Sequence, residues 1–249
     1  MFGIIGGTGL TQLENLNITR RQIARTPYGD ASQPLVFGEL AGYEVVFLAR
    51  HGGGHTIPPH SVNYRANIWA LHAVGVKNLL AIATVGGISK GLVAGDIVLP
   101  HQILDYTHGR NNTYHDGIQR PVMHIDFTEP YSNQLRQTCK QAASNVQQAV
   151  HDGGVYACVQ GPRLETAAEI DRYERDGATV IGMTGMPEAV LARELGLHYA
   201  AICPVANQAA GRGDSEHGIK YETMMTKLEL TMQKIRALIE EIVKVHQEV

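Results

Sequence analysis

The sequence has little cysteine and no long apolar run, and each absence excludes a class of protein. Its three cysteines, Cys139, Cys158 and Cys203, are odd in number and widely spaced, which argues against a disulfide framework and for reduced thiols in the cytoplasm. No stretch reaches the roughly 18 apolar residues that span a bilayer. The first ten residues lack the basic start of a signal peptide. We therefore expect a cytoplasmic protein with no membrane partner.

An excess of charge of one sign is also lacking. The 21 Lys and Arg residues against 24 Asp and Glu residues give a net charge of −3 at pH 7, and no basic run provides a local cationic surface. Both features argue against a nucleic-acid partner. No Pro/Ser-rich linker, charge block or short repeat divides the 249 residues, a length that can bury one large core. We therefore predict a single domain over residues 1–249.

Three segments share one order of elements: a helix, a glycine and an apolar strand. The glycines are Gly75, Gly177 and Gly196, each placed where a residue in the left-handed conformation ends a helix. The first strand is predicted near Leu79–Val85, and its continuous apolar character is typical of a strand covered on both faces. This alternation predicts an α/β fold with a mixed, largely parallel central sheet flanked by helices.

Two further elements extend this framework. The segment "PLVFGELAGYEVVFLAR" predicts two strands joined by a tight turn at Ala41-Gly42. The residues from Ile219 to Val249 predict one long amphipathic helix, because apolar side chains recur along them with helical spacing.

Two glycine-rich turns follow apolar strands and are suited to an anion. "GIIGGTGL" contains Thr8 and "ATVGGISKG" contains Thr84. Glycines let backbone N–H groups converge on a phosphate, and ligands of open α/β sheets bind beyond the carboxyl ends of strands. For both segments, a turn with a purely structural role remains the alternative. A dinucleotide fingerprint is less favoured for the first, because its spacing is not G-x-G-x-x-G.

The loop "RHGGGHTIPPH" concentrates polar side chains after another apolar strand. A metal site is the less favoured interpretation, because His51, His55 and His60 are separated by glycines and prolines and no Cys, Asp or Glu lies within the loop. Arg50 and His51 suit an oxyanion better, since a guanidinium donates two hydrogen bonds and the imidazole is a nearby donor. The alternative is structural: these polar side chains belong to a loop and contact only water.

Five segments carry a resemblance to a known family. The sequence resembles the trimeric purine nucleoside phosphorylases, and within them the methylthioadenosine branch, in "GIIGGTGL", "RHG…HTIPPHSVNYRANIWAL", "HIDFTEP", "GPRLETAAEI" and "MTGMPEAVLARELGL". The resemblance implies one α/β domain, a homotrimer and no metal or bound cofactor. It also implies cleavage of a purine nucleoside by inorganic phosphate, giving the free base and a sugar 1-phosphate.

The same resemblance assigns roles to individual positions. Met183 matches the residue that packs on the ribose, Thr184 lies beside it, and His55 is expected toward the sugar. His124 matches a residue that a neighbouring subunit contributes near the 5′ end of the substrate. The phosphate site is expected at Thr8, Arg50, His51, Thr84 and Val85.

Two positions differ from the methylthioadenosine pattern and indicate which purine is bound. Asn207 stands where that branch has an aspartate, and an asparagine can donate to a 6-oxo oxygen while accepting from N7–H. Glu165 resembles the glutamate of 6-oxopurine phosphorylases, which accepts the N1–H that adenine lacks. Leu164 replaces an aromatic that stacks on the base. We therefore predict a 6-oxopurine, with catalytic roles for Asn207 on the departing base and His51 on the phosphate.

The group at the 5′ carbon is expected to meet the start of the last helix. Ile219, Met224 and Met225 offer apolar contacts to a methylthio group, whereas His217 is the alternative for a 5′-hydroxyl. The predicted substrate is S-methyl-5′-thioinosine. Inosine or guanosine, and methylthioadenosine, are the alternatives, and a non-catalytic nucleotide-binding protein is the alternative from another class.

Overall fold

One large sheet organises the chain. The computed structural model describes residues 1–118 and 120–247, and within these ranges twelve strands belong to this sheet while β3 and β4 form a separate pair. The strands are β1 (Phe2–Gly6), β2 (Asn17–Gln22), β3 (Arg25–Thr26), β4 (Gly29–Asp30), β5 (Leu35–Leu40), β6 (Tyr43–Ala49), β7 (Asn78–Ile82), β8 (Val85–Gly87), β9 (Ile97–Leu99), β10 (Gln102–Asp105), β11 (His151–Asp152), β12 (Val155–Cys158), β13 (Val180–Gly182) and β14 (His198–Gln208).

Helices and short 3₁₀ turns connect these strands. The α-helices of the described ranges are α1 (Tyr64–Ala73), α2 (Asn133–Asn145), α3 (Ala167–Arg175), α4 (Gly185–Glu194) and α5 (Tyr221–Gln247), and the 3₁₀ turns are Pro59–Ser61 and Gly213–Ser215. None of these helices is long and apolar enough to cross a membrane.

The sheet is mixed, with a parallel centre. Its order is β10-β12-β13-β8-β14-β7-β1-β6-β5-β2. The neighbours β14, β7, β1 and β6 all run parallel, so their carboxyl ends share one edge. Antiparallel pairs join β8 to β13, and β6 to β5 and β2 beyond it. The predicted α/β class, with a mixed and largely parallel sheet, is confirmed.

Helices cover both faces of this sheet, which explains its continuous apolar strands. On β1, Ile5 packs in the cluster that includes α1 and α4, whereas Ile4 packs in the cluster that includes α2 and α5. Both side chains are 0% exposed. Each full burial of such an aliphatic side chain stabilises the fold by about 1.5–3 kcal/mol, so the parallel centre is a rigid base for the residues that follow it.

The predicted glycine stops are present. Gly75, Gly177 and Gly196 have φ of 90°, 93° and 69°, and they follow α1, α3 and α4. The predicted turn between β5 and β6 is also present, with Ala41 at φ 52° and Gly42 at φ 87°. Positive φ at both central residues is the geometry that matches the twist of a two-residue hairpin.

Two predicted boundaries need correction, and one helix was not predicted. The strand predicted near Leu79–Val85 is two strands, because the chain leaves β7 after Ile82 and re-enters the sheet as β8. The last helix begins at Tyr221, two residues after the predicted start at Ile219. Its predicted end at Val249 lies outside the described residues. Helix α2 was not predicted, although Ser132 caps its start by accepting from the N–H of Leu135.

Candidate active site

A cavity of about 560 Å³ opens where the central parallel strands end. Thr8 follows β1, Arg50 follows β6 and Thr84 follows β7, so adjacent strands deliver polar residues to one place. Most residues predicted for the site line this cavity: Thr8, Arg50, His51, His55, Thr84, Val85, Leu164, Glu165, Met183, Thr184, Asn207, Met224 and Met225.

Arg50 is held by a carboxylate that the sequence analysis did not identify. The arginine is 1% exposed, and its Nε and Nη2 donate to Glu188 Oε2 and Oε1 at 2.6 and 2.7 Å. Nη1 donates to the Ile82 carbonyl at 3.0 Å. The predicted bidentate donation to an oxyanion is therefore wrong for this fork, which is occupied by Glu188. Of the five N–H groups of an arginine, two remain for a ligand.

Glu188 is itself completely buried and fully bonded. Its side chain is 0% exposed, and Tyr199 donates a third hydrogen bond to Oε1 at 2.9 Å. Removing one partner of a buried ion pair leaves an uncompensated charge and destabilises by about 3–5 kcal/mol. The pair therefore fixes the position of the Arg50 guanidinium and reduces the net positive charge at the cavity.

His51 is neutral and its ring is fixed. Its Nδ1 lies 2.8 Å from the Ile57 carbonyl oxygen. Burial, together with the charge of Arg50 and the nearby His55, lowers its pKa to about 4. The His55 ring lies 4.7 Å away, centroid to centroid. A carbonyl only accepts, so Nδ1 carries the proton and Nε2 is an acceptor. The donor expected from this imidazole is therefore directed at Ile57 and not at a ligand.

The two glycine turns are hydrogen-bonded to each other beside the cavity. Thr84 donates from its hydroxyl to the Thr8 carbonyl at 3.0 Å, which joins the turn after β7 to the turn after β1. A Cβ built on Gly7 would lie 2.6 Å from the Ile82 carbonyl oxygen and 2.9 Å from Arg50 Nη1. Glycine is required there because any side chain would displace the guanidinium.

Asn207 is positioned by a break in strand pairing. Val205 pairs with Val85 and Asn207 with the next residue, Gly86, so β14 has one extra residue at this point. Such bulges commonly re-aim a side chain beside an active site. Asn207 donates one amide hydrogen to the Gln208 carbonyl at 2.6 Å. Its second N–H and its oxygen remain for a ligand.

Glu165 and Leu164 lie on the loop that precedes α3. Glu165 lines the cavity, and burial raises the pKa of its carboxyl above the ordinary value of 4.5. Helix α3 begins directly after it with a capping box: Thr166 accepts from the N–H of Glu169, and the Glu169 carboxylate accepts from the N–H of Thr166. This box fixes the backbone that carries Glu165.

Met183 and Thr184 form the wall between β13 and α4. A Cβ built on Gly161 would lie 2.4 Å from Met183 Sδ, so the loop before α3 packs against this methionine. Arg110 joins both segments. It donates to the carbonyls of Met183 and Met186 at 2.8 and 2.6 Å and to the carbonyl of Gln160 at 2.9 Å.

The apolar end of the cavity is made by the start of α5. Met224, Met225 and Leu228 line it together with Tyr221, which the sequence analysis did not assign. Ile219 does not line this cavity and lies instead in an adjoining one of about 310 Å³. The prediction for Ile219 is wrong because the helix begins at Tyr221, which places Ile219 in the preceding loop.

Three histidines lie away from the cavity walls. His124 is exposed, and the structure places it outside the cavity of its own chain, so its predicted contribution to a neighbouring subunit stays a prediction. His60 and His217 are also exposed and do not line the cavity. In residues 1–118 and 120–247, no three His, Cys, Asp or Glu side chains are grouped to hold a metal ion.

Residues 1–244 match the family model of the phosphorylase superfamily. The chain belongs to this superfamily.

Several relatives of this phosphorylase cover most of the chain. It is 54% identical, over 85% of its length and 86% of the relative's, to a probable S-methyl-5′-thioinosine phosphorylase of Pseudomonas syringae pv. tomato. It is 43% identical, over 95% and 91%, to a 6-oxopurine nucleoside phosphorylase of Pyrococcus furiosus. Among solved structures, it is similar to a methylthioadenosine phosphorylase from Schistosoma mansoni in complex with adenine, with a TM-score of 0.94, 31% identity and coverage of 100% and 92%. The predicted family is confirmed.

The arrangement in this phosphorylase separates three chemical environments along one cavity. Arg50 supplies charge at the strand ends, the amide of Asn207 and the carboxyl of Glu165 supply directional hydrogen bonds, and Met224 supplies apolar surface. Sequence reasoning missed Glu188, Arg110 and Tyr221. Glu188 has one available signal, since it follows a proline at the predicted start of a helix.

Proposed function

We propose that this phosphorylase cleaves the N-glycosidic bond of S-methyl-5′-thioinosine with inorganic phosphate, giving hypoxanthine and 5-methylthioribose 1-phosphate. The observation that carries the proposal is the presence of Asn207 and Glu165 in the same cavity as Arg50 and the α5 methionines. The names of its relatives, probable S-methyl-5′-thioinosine phosphorylase and 6-oxopurine nucleoside phosphorylase, agree with it.

The base-binding end supports a 6-oxopurine. The free N–H of Asn207 donates to O6 while Oδ1 accepts from N7–H, and the Glu165 carboxylate accepts from N1–H. A 6-aminopurine offers a donor at position 6 and an acceptor at N1, which mispairs with both groups. Each mispaired buried group costs about 1–3 kcal/mol, so two give roughly 10²- to 10⁴-fold discrimination.

The phosphate end supports the chemical step. The two remaining N–H groups of Arg50 and the threonine turns hold the anion on one side of C1′, where it stabilises an oxocarbenium-like transition state. A phosphate oxygen then bonds to C1′ as the C1′–N9 bond breaks and its electron pair passes to the purine. N7 takes a proton from solvent, and Asn207 Oδ1 accepts a hydrogen bond from the resulting N7–H. The step needs a positioned anion, and no nucleophilic side chain or bound cofactor enters it.

The α5 end supports a methylthio group. Met224, Met225 and Leu228 offer apolar and polarisable surface to S–CH3, whereas a 5′-hydroxyl there would lose hydrogen bonds to water. Tyr221 also lines the cavity together with these residues. The alternative substrate, inosine or guanosine, is therefore accepted with lower kcat/KM.

We also propose that the enzyme acts in the cytoplasm as a homotrimer. The segment around His124 exposes Ile118, Val122 and Met123 at 90%, 66% and 44%, which is apolar surface suited to a subunit contact. His124 would then reach the 5′ end of the substrate in the neighbouring subunit.

Phosphate-dependent cleavage of four nucleosides tests this function. We expect kcat/KM to be highest for S-methyl-5′-thioinosine, lower for inosine and guanosine, and lowest for S-methyl-5′-thioadenosine. Fast turnover of methylthioadenosine would overturn the base assignment. A preference for inosine over methylthioinosine would overturn the 5′ assignment and leave the base assignment intact.

A further inference from the structure

The loop after β6 fixes one tautomer of His51. The His51 carbonyl accepts from the N–H groups of Thr56 and Ile57 at 3.0 and 3.1 Å, and the Ile57 carbonyl accepts from His51 Nδ1 at 2.8 Å. The side chain and the backbone of His51 are therefore both bonded to Ile57. Since the carbonyl oxygen has no hydrogen to give, the ring proton lies on Nδ1.

The second ring nitrogen is left as an acceptor inside a site for an anion. His51 lines the cavity next to Arg50, and within the described residues the hydrogen bond of its ring is made by Nδ1, to Ile57. The charged and titratable groups around the ring are Arg50, with Glu188 behind it, and His55. Burial and the Arg50 charge disfavour a second proton and lower the pKa of His51 to about 4.

A lone pair that faces an anion repels it unless the anion brings a hydrogen. Hydrogen phosphate and hydrogen arsenate each carry one hydroxyl, whereas sulfate and monofluorophosphate at the same charge of −2 carry none. We propose that His51 is a specificity-determining residue: its Nε2 accepts a hydrogen bond from the hydroxyl of the bound oxyanion and so selects hydrogen phosphate over sulfate. This inference rests on the proposed function, which places inorganic phosphate beside Arg50.

The opposite charge state makes the opposite prediction. An imidazolium would donate from both nitrogens, and it would bind sulfate and hydrogen phosphate alike. A competition between anions of equal charge and shape therefore separates the two states of His51 without depending on which nucleoside is cleaved.

The test uses the full chain at a pH of about 8, where phosphate is mainly the dianion. Dissociation constants of phosphate, arsenate, sulfate and monofluorophosphate are measured by calorimetry, and each of the last two is also tested as an inhibitor of phosphorolysis. We expect sulfate and monofluorophosphate to bind about 10- to 100-fold more weakly than phosphate, which is the usual effect of one mispaired buried group.

Matched variants assign the discrimination to the ring. His51→Gln introduces an amide that can donate, and we expect the ratio of sulfate to phosphate dissociation constants to fall to within about threefold of unity. His60→Gln, in the same loop but outside the cavity, keeps the wild-type ratio. Sulfate binding as tight as phosphate in the wild type, or an unchanged ratio in His51→Gln, overturns the inference.

Failure of the inference and failure of the proposed function give different results. Absence of phosphate-dependent cleavage with every nucleoside overturns the function. Normal cleavage together with strong inhibition by sulfate overturns only the role of His51. The wild-type anion ratio decides the inference even if His51→Gln does not fold.

Discussion

At the residue scale, the proposed base selection rests on what one amide can do that a carboxylate cannot. Asn207 donates one N–H to the Gln208 carbonyl, and one donor and one acceptor of its amide remain for a ligand. An aspartate at the same place has acceptors only, so it would face O6 with a lone pair and suit a 6-amino group instead. The chemistry of the site thus changes with a single atom of this side chain.

We expect Asn207→Asp to raise the ratio of kcat/KM for methylthioadenosine to that for methylthioinosine by about 10- to 100-fold, because one mispaired buried group is worth about 1–3 kcal/mol. Steady-state kinetics on both substrates measures the ratio. Asn112→Asp, which makes the same change at an exposed position outside the cavity, is the control. An unchanged ratio in Asn207→Asp would show that base choice lies elsewhere.

Glu165 gives this selectivity a pH dependence. Burial raises the pKa of its carboxyl above 4.5, so the neutral form persists to higher pH than for an exposed glutamate. Only the ionised form accepts from N1–H, and the neutral form can donate to N1 of a 6-aminopurine. As pH falls through the raised pKa, the kcat/KM ratio of methylthioinosine to methylthioadenosine should therefore decrease.

Measuring this ratio, and not a single rate, isolates Glu165, because titration of phosphate or His51 affects both substrates equally. In Glu165→Gln the side chain accepts through its amide oxygen at every pH. The ratio in that variant should be flat over the same range. A ratio that still falls in Glu165→Gln would assign the titration to another group.

At the element scale, the parts that were predictable are those set by local chemistry. Gly75, Gly177 and Gly196 end their helices as expected, because glycine alone adopts positive φ without cost. The break between β7 and β8 was not predictable, since "IATVGG" reads as a continuous apolar strand and only pairing with β14 and β13 divides it.

Glu188 shows why part of the site could not be predicted from the sequence. An acid in the first turn of a helix is common because it favours the helix dipole, so the position of Glu188 directly after Pro187 does not by itself indicate a role in the site. Within α4, Met186 and Pro187 have non-helical backbone angles, and this kink leads into the buried position of Glu188 against Arg50. Residues 138 positions apart meet there, and only the tertiary fold brings them together.

Helix α3 offers a prediction at this scale. Thr166 caps its start and is exposed, so Thr166→Ala should cost about 1 kcal/mol in the free energy of unfolding. Because Glu165 directly precedes the cap, the KM for the nucleoside should rise while the KM for phosphate stays unchanged. Denaturant unfolding and steady-state kinetics measure the two effects.

Thr166→Ser is the matched control, since its hydroxyl can restore the cap. Both effects should be recovered in it to within experimental error. A nucleoside KM that is unchanged in Thr166→Ala would contradict the proposed link between the cap and the position of Glu165.

At the scale of the whole molecule, the sheet explains why one cavity collects residues from distant parts of the chain. The parallel strands β14, β7, β1 and β6 end at a common edge, so the residues that follow them are neighbours whatever their separation in sequence. This principle made Arg50, Thr8 and Thr84 predictable as a group. It says nothing of His124, which is on a long connection and lies outside the cavity of its own chain.

The proposed homotrimer can be tested through His124. If His124 acts in a neighbouring subunit, a site needs Arg50 from one chain and His124 from another. We expect Arg50→Ala and His124→Ala to be weakly active when each is expressed alone. Co-expression of the two should recover activity, since about a quarter of the sites in randomly mixed trimers combine both wild-type residues.

Light scattering on the wild type checks the stoichiometry, and kcat/KM for methylthioinosine on the co-expressed sample measures the recovery. Co-expression of His60→Ala with Arg50→Ala is informative as a control, because His60 is exposed and outside the cavity and its chains supply intact sites on their own. A His124→Ala mixture that yields no more activity than the sum of its parents would place the function of His124 within its own chain or exclude it from the site. A monomer in solution would contradict the homotrimer directly.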